Sequence, residues 1–238
     1  MNLFSNLSIR GRFFVLSFSM LLLVLLVSGF SWFSMKQIGG ELASIAEDDI
    51  PLTAALTQIT VHQLQQAIHF ERAVRFGEQK PSDPEAGSLL VEEVSEFDKL
   101  SRKDDAEIAA ATEKARASQA HAPTVEAKAE FEQVAAALEE IRGQHKAYEQ
   151  HAADVLRMLG EGDLHSAEQQ AREIKLEEDK LDAALGELLI EVEAFTEQAA
   201  LRAKEHEGTA ELIILALMTL SLGLGVGMAW FISRSAQD

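Results

Sequence analysis

Apolar residues fall in two patterns along this chain: solid runs near each end, and thin stripes in between. Phe13 to Phe33 and Leu212 to Ile232 each hold 21 residues without a charge. A helix of that length, rising about 1.5 Å per residue, reaches about 30 Å, the thickness of the hydrocarbon layer. Between the runs the apolar positions recur every three or four residues rather than every two. The first stripe reads Ile38, Leu42, Ile45, Asp49, Leu52, Leu56, Ile59, Gln63, Gln66, Phe70 and Ala73. Three more follow, on Leu90 to Ala115, Phe131 to Leu159 and Leu164 to Arg202. Steps alternating three and four keep one face of a helix toward its neighbours, as in a left-handed bundle.

Three breaks separate the stripes. Lys80-Pro-Ser-Asp-Pro84 is a turn by its prolines, and His121-Ala-Pro123 is a second, with Pro123 suited to a first helical turn. Gly160-Glu-Gly-Asp163 is a third, glycine ending one helix and Asp163 capping the next. Such short turns make neighbours antiparallel. The expected fold is all-α: an antiparallel up-and-down four-helix bundle, its first and fourth helices continuous with two transmembrane helices. Pro51 removes a backbone donor inside the first helix. The stretch Asp48-Asp49-Ile50-Pro51 therefore reads as a bend, or as a restart capped by Asp49.

The flanks of the apolar runs orient the chain. Arg10 and Arg12 precede the first and Arg234 follows the second, which puts both termini on the cytoplasmic side. Trp32 and Trp230 then fall at opposite membrane faces. The segments are 1–12 inside, 13–33 and 212–232 spanning, 34–211 as a periplasmic sensor-sized bundle, and 233–238 inside. A cleavable signal peptide is the rival for the first run, with Val27-Ser28-Gly29 as the small-residue site. The run's length and the helical pattern beyond it favour an uncleaved anchor. The middle segment keeps 18 of the 21 basic and 38 of the 39 acidic residues, a net charge of −20, and holds all seven histidines. That balance opposes nucleic-acid binding. The absence of cysteine excludes disulfides and thiolate chemistry.

This layout resembles the sensor half of bacterial methyl-accepting chemotaxis proteins, of the four-helix-bundle ligand-binding type. The likeness rests on Asn6-Leu-Ser-Ile-Arg-Gly-Arg-Phe13 entering the first span and Ile50-Pro-Leu-Thr-Ala-Ala-Leu-Thr-Gln-Ile59 early in the first bundle helix. Gly162-Asp-Leu164 opening the fourth helix and Ile232-Ser-Arg-Ser235 leaving the second span complete it. The family continues into a HAMP linker and a cytoplasmic coiled coil controlling a kinase. Here the sequence stops at Asp238, which leaves a truncated receptor and a stand-alone sensor as the two expectations. The resemblance implies a homodimer in the inner membrane, a small ligand or periplasmic binding protein as input, chemotaxis as output, and an unidentified cytoplasmic partner. A membrane-tethered interaction protein recognising a periplasmic partner is the alternative. Neither Gly-x-Ser-x-Gly nor a phosphate-cradling glycine loop is present, so no enzyme is expected.

Equal rise along antiparallel neighbours puts Gln63, Gln66, His145, Tyr148 and Glu178 in one layer of the membrane-distal half. Such a layer is either a network fixing register or a small-ligand pocket. His69 is a further ligand-binding candidate. Arg72 and Arg75, high on the first bundle helix, suit bidentate capture of a carboxylate. In aspartate-type receptors of the resembled fold, arginines so placed serve that purpose at the dimer interface. Pairing with Glu71, Glu78 or acids of the fourth helix is the simpler reading. No metal or other cofactor is expected: no histidine has Glu three residues before it, and His-Glu-x-x-His is missing. His62, His69, His145 and His151 then read as scattered surface histidines. Gly223 and Gly227, with Gly225 between them, form a small-residue motif that permits close helix contact.

Overall fold

The computed structural model describes residues 9–235, all helix apart from three short turns. Helix α1 spans Ile9–Ser44, a π-helical turn spans Ile45–Asp49, and α2 spans Ile50–Gln79. Then come α3 (Ala86–His121), α4 (Val125–Glu161) and α5 (Leu164–Ser235). The chain divides into two compact units. One is the bundle, 43–199. The other holds the remaining described parts of α1 and α5.

In the bundle, α2, α3, α4 and the first half of α5 each turn a stripe inward. The expected stripe of α4 is buried at every position from Phe131 to Leu159, and that of α2 from Asp49 to Ala73. Leu42, the stripe's second position on α1, is exposed. Cross-links run antiparallel, because the partner's number falls as the first rises. His62 pairs with Glu107 and His69 with Glu93 between α2 and α3. Arg116 pairs with Glu139 and Gln119 with Glu132 between α3 and α4. Gln133 bonds Glu191 and His151 bonds Glu177 between α4 and α5. Lys175 lies 3.7 Å from Glu71, closing α5 onto α2.

Two local expectations are corrected. Pro51 neither restarts the helix nor finds a cap in Asp49, which is helical and makes no side-chain cap bond. The chain widens instead into the π-turn, where the Ile50 N–H reaches Ile45 O. Pro51 supplies no donor, and the Lys114 ammonium donates to Glu47 O at 2.8 Å. Pro123 lies outside α4: Thr124 is the cap, its Oγ1 accepting from the Ala127 N–H at 3.1 Å. The third turn is as expected. Gly162 is left-handed at φ 87°, the Asp163 N–H bonds Met158 O, and Asp163 Oδ1 accepts from the Ser166 N–H.

In the second unit, α1 and α5 each carry a stretch long and apolar enough by length and composition to cross a membrane. They approach at Gly225, where an added Cβ would meet Met20 Cε at 2.5 Å. Gly223 and Gly227 meet nothing within 4 Å, so the central glycine makes the contact rather than the outer pair. Glu41, 5% exposed, accepts from His206 Nδ1 at 2.8 Å.

Candidate functional site

The polar positions of the bundle core separate into an inner layer, a groove and an exposed face. The inner layer lies where α2, α3 and α4 converge. Gln66 is wholly buried; its Nε2 donates to Ser101 Oγ, and its Oε1 takes a bond from His145 Nε2 at 3.2 Å. An amide oxygen only accepts, so His145 carries its proton on Nε2 and presents a bare lone pair at Nδ1. That Nδ1 is buried without a hydrogen-bond partner in the protein. Burial lowers the His145 pKa, so the ring is neutral near pH 7. Tyr148 sits one turn on, packed with Phe70 and Phe97 at ring separations of 6.5 and 6.1 Å. Its hydroxyl has no partner, and burial together with the Glu178 charge raises its pKa. Gln63, 1% exposed, has both amide atoms unpartnered.

Asp104 is the residue that counting along the other helices passed over. It is fully buried, with neither oxygen hydrogen-bonded. It stands 3.8 Å from His62 Nδ1 on one side and 3.8 Å from His145 Nε2 on the other. Burial, then the charges of Glu107 and Glu149, push its carboxyl up to about 8, so it holds a proton near neutrality. The signal was in the α3 stripe, where Ser101 and Asp104 interrupt the run between Phe97 and Ile108. His62 lies beside Asp104; it and His145 are buried in the bundle, which corrects the expectation of surface histidines for these two. Lys103 Nζ donates to His62 Nε2 at 2.9 Å, so Nδ1 carries the proton and donates to Glu107 Oε2 at 2.6 Å. Asp105 and Glu149 approach the opposite side of His145, at 3.6 and 3.8 Å from Nδ1.

Glu178 stands apart from the glutamines. It lines a groove of about 320 Å³ between α2 and α5, floored by Phe70, Val74 and Ala171 and edged by Glu71, Glu78, Glu168, Arg172 and Lys175. Lys175 donates to Glu178 at 2.5 Å, yet burial outweighs that bond and raises the Glu178 pKa. His69 is not in the layer either; its Nδ1 bonds Glu93 Oε2 at 2.5 Å.

Arg72 and Arg75 are exposed on α2. Arg72 comes within 3.9 Å of Glu93 on α3, not of Glu71, Glu78 or an α5 acid, and Arg75 lies over the Phe76 ring at 5.2 Å. Below them on α2, Ile50, Val61, Leu64 and Ile68 are exposed at 56, 42, 46 and 46%. From Val61 the spacing continues to Arg72 and Arg75 in steps of three and four, which makes one outward apolar stripe topped by two guanidiniums, with Ile50 eleven residues before Val61 on the same face.

The family model of Tar ligand-binding domain homologues matches residues 3–175. The chain belongs to this family. No curated protein and no solved structure matches it. Membership makes the chain a ligand-binding domain of the chemoreceptor sensor type. For this Tar-type domain, the inner layer, the groove and the α2 face are the places where side-chain chemistry gathers.

Proposed function

We propose that this chain is the input half of a transmembrane chemoreceptor, with its bundle in the periplasm and both termini in the cytoplasm. It works as a homodimer joined through α2 and detects a small carboxylate-bearing ligand. The output is chemotaxis signalling. The observation that carries this reading is the α2 stripe: Val61, Leu64 and Ile68 exposed at three- and four-residue steps that end at Arg72 and Arg75, with Ile50 eleven residues before Val61. Such a stripe costs hydration free energy unless a second helix covers it. Pairing α2 with α2 of a second chain brings four guanidiniums close together in a strongly acidic domain, and a carboxylate relieves their repulsion. The inner layer of Gln63, Gln66, His145 and Tyr148 is buried and sets helix register. The arginine helix runs through the π-turn toward α1, and α5 is one unbroken helix from the groove to Ser235. A ligand that draws the two α2 helices together thus biases rods that carry the spanning segments.

The native chain has no cysteine, so single-cysteine cross-linking in membranes is clean. Leu64→Cys and Ile68→Cys should form disulfide dimers readily, and Val125→Cys, 80% exposed on α4, should not. The full chain in nanodiscs should gain thermal stability with one or more amino acids or dicarboxylic acids, and lose that gain in Arg72→Ala and Arg75→Ala. Equal cross-linking at Val125→Cys removes the dimer reading. A ligand shift that survives both arginine substitutions removes the binding reading.

A further inference from the structure

The unused chemistry of the bundle lies on the α3–α4 side, where His145 Nδ1, Asp105 Oδ1 and Glu149 Oε1 converge with every donor atom within 4.8 Å of the others. We propose that these three side chains form a binding site for a divalent transition-metal cation such as Zn²⁺ or Co²⁺, a site separate from the α2 face.

Several observations lead there. His145 is 1% exposed, and the bond from its Nε2 to Gln66 leaves Nδ1 as a fixed, unprotonated lone pair with no partner. That lone pair faces two carboxylates, at 3.6 and 3.8 Å, and all three groups accept rather than donate. A cation bonded at about 2.0–2.2 Å to nitrogen and oxygen holds neighbouring donors roughly 3.0–3.5 Å apart, so a contraction of a few tenths of an ångström brings each carboxylate to the required distance from His145 Nδ1. Helical geometry supplies two ligands from one face, His145 and Glu149 being four apart on α4, and α3 supplies the third. Gln66 gives the outer-sphere contact on the second ring nitrogen that orients metal-bound imidazoles. Asp105 has a half-exposed side chain, which opens a path from solvent. Imidazole with carboxylate favours first-row transition ions over Mg²⁺ and Ca²⁺, which prefer all-oxygen sites.

The neighbouring trio of His62, Asp104 and Glu107 also gathers three donors. There Glu107 accepts the hydrogen bond from Nδ1–H, and Lys103 and the Gln58 amide donate to Nε2. Neither nitrogen is free there, whereas His145 Nδ1 is without a partner. The proposed site rests on side-chain placement alone and does not depend on the signalling reading.

The test uses the full chain, purified without a histidine tag, stripped with chelator and held in nanodiscs. Co²⁺ titration should saturate at one ion per chain with a visible ligand-field band, and Zn²⁺ should displace it. Calorimetry should find Zn²⁺ binding at least tenfold tighter than Mg²⁺. Asp105→Asn and Glu149→Gln keep shape, and circular dichroism checks their folding; each should weaken Co²⁺ at least tenfold. Glu107→Gln should leave binding unchanged. The proposal is overturned if no Co²⁺ band develops, if Mg²⁺ competes equally, or if the Asp105 and Glu149 variants bind as the native chain does.

Discussion

Gly77 offers the sharpest test of how the bundle closes at its distal end. It is a buried helical residue of α2, and a Cβ built there would lie 2.7 Å from Leu159 Cδ2, 3.0 Å from Leu159 Cβ and 3.1 Å from Cγ. Optimal carbon–carbon contact is about 3.5–4.0 Å, so the leucine must withdraw by roughly half an ångström to one ångström. Its terminal methyl can rotate, but its Cβ is tied to the α4 backbone. Gly77→Ala therefore forces α2 and α4 apart. Overpacking of this kind costs about 1–3 kcal/mol, set against a helix-propensity gain of about 1 kcal/mol for Gly→Ala. Gly143, in the interior of α4 with nothing within 4 Å, supplies the control. Gly143→Ala collects the propensity gain alone. Their difference cancels propensity and isolates the clash, at about 1–3 kcal/mol in favour of Gly143→Ala. The assay is urea unfolding of the full chain in detergent, followed by far-ultraviolet circular dichroism. Should Gly77→Ala prove as stable as Gly143→Ala, the close approach of α2 to Leu159 is wrong. A background of Leu159→Ala should shrink the difference, since two of the three clashing atoms are gone.

Other expectations follow from particular contacts. Thr124→Ala loses the α4 cap and should cost about 1 kcal/mol, with Thr124→Ser restoring most of it, read by the same unfolding assay. Lys114→Met deprives Glu47 O of its donor beside the π-turn and should cost about 1 kcal/mol, while Lys114→Arg should cost less. Glu178 has a folded pKa above 4.5 through burial, despite the Lys175 bond and with Glu71, Asp182 and Tyr148 facing it. A raised folded pKa contributes stability that is complete below the unfolded value and is lost as pH rises through the folded one. Glu178→Gln should therefore flatten the decline in stability measured as pH rises above about 4. A steeper decline in the variant would refute the assignment.

The polar layer shows how far a stripe can be read. Gln66 and His145 sit in apolar seams, and equal helical rise was enough to bring them to one height; they bond directly. Tyr148 and Gln63 were likewise legible as buried polar positions. Asp104 stood in the α3 seam just as plainly, yet pairing it with His62 and His145 requires knowing how α3 is rotated against two neighbours. Equal rise puts Glu178 at the height of the layer, but the structure turns it to the α2–α5 groove with Lys175. Height along an axis follows from residue number, whereas direction around the axis does not.

The same division runs through the chain. Periodicity, prolines and glycines act within a few residues, through backbone donors, dihedral limits and the 3.6-residue turn. The helices, their breaks and their inward faces were therefore set locally and readable from sequence. The π-turn that absorbs Pro51, the lysine that serves Glu47 and the bare nitrogen of His145 depend on groups dozens of residues away. Only packing decides which distant side chain arrives with a donor, and which buried atom is left without one.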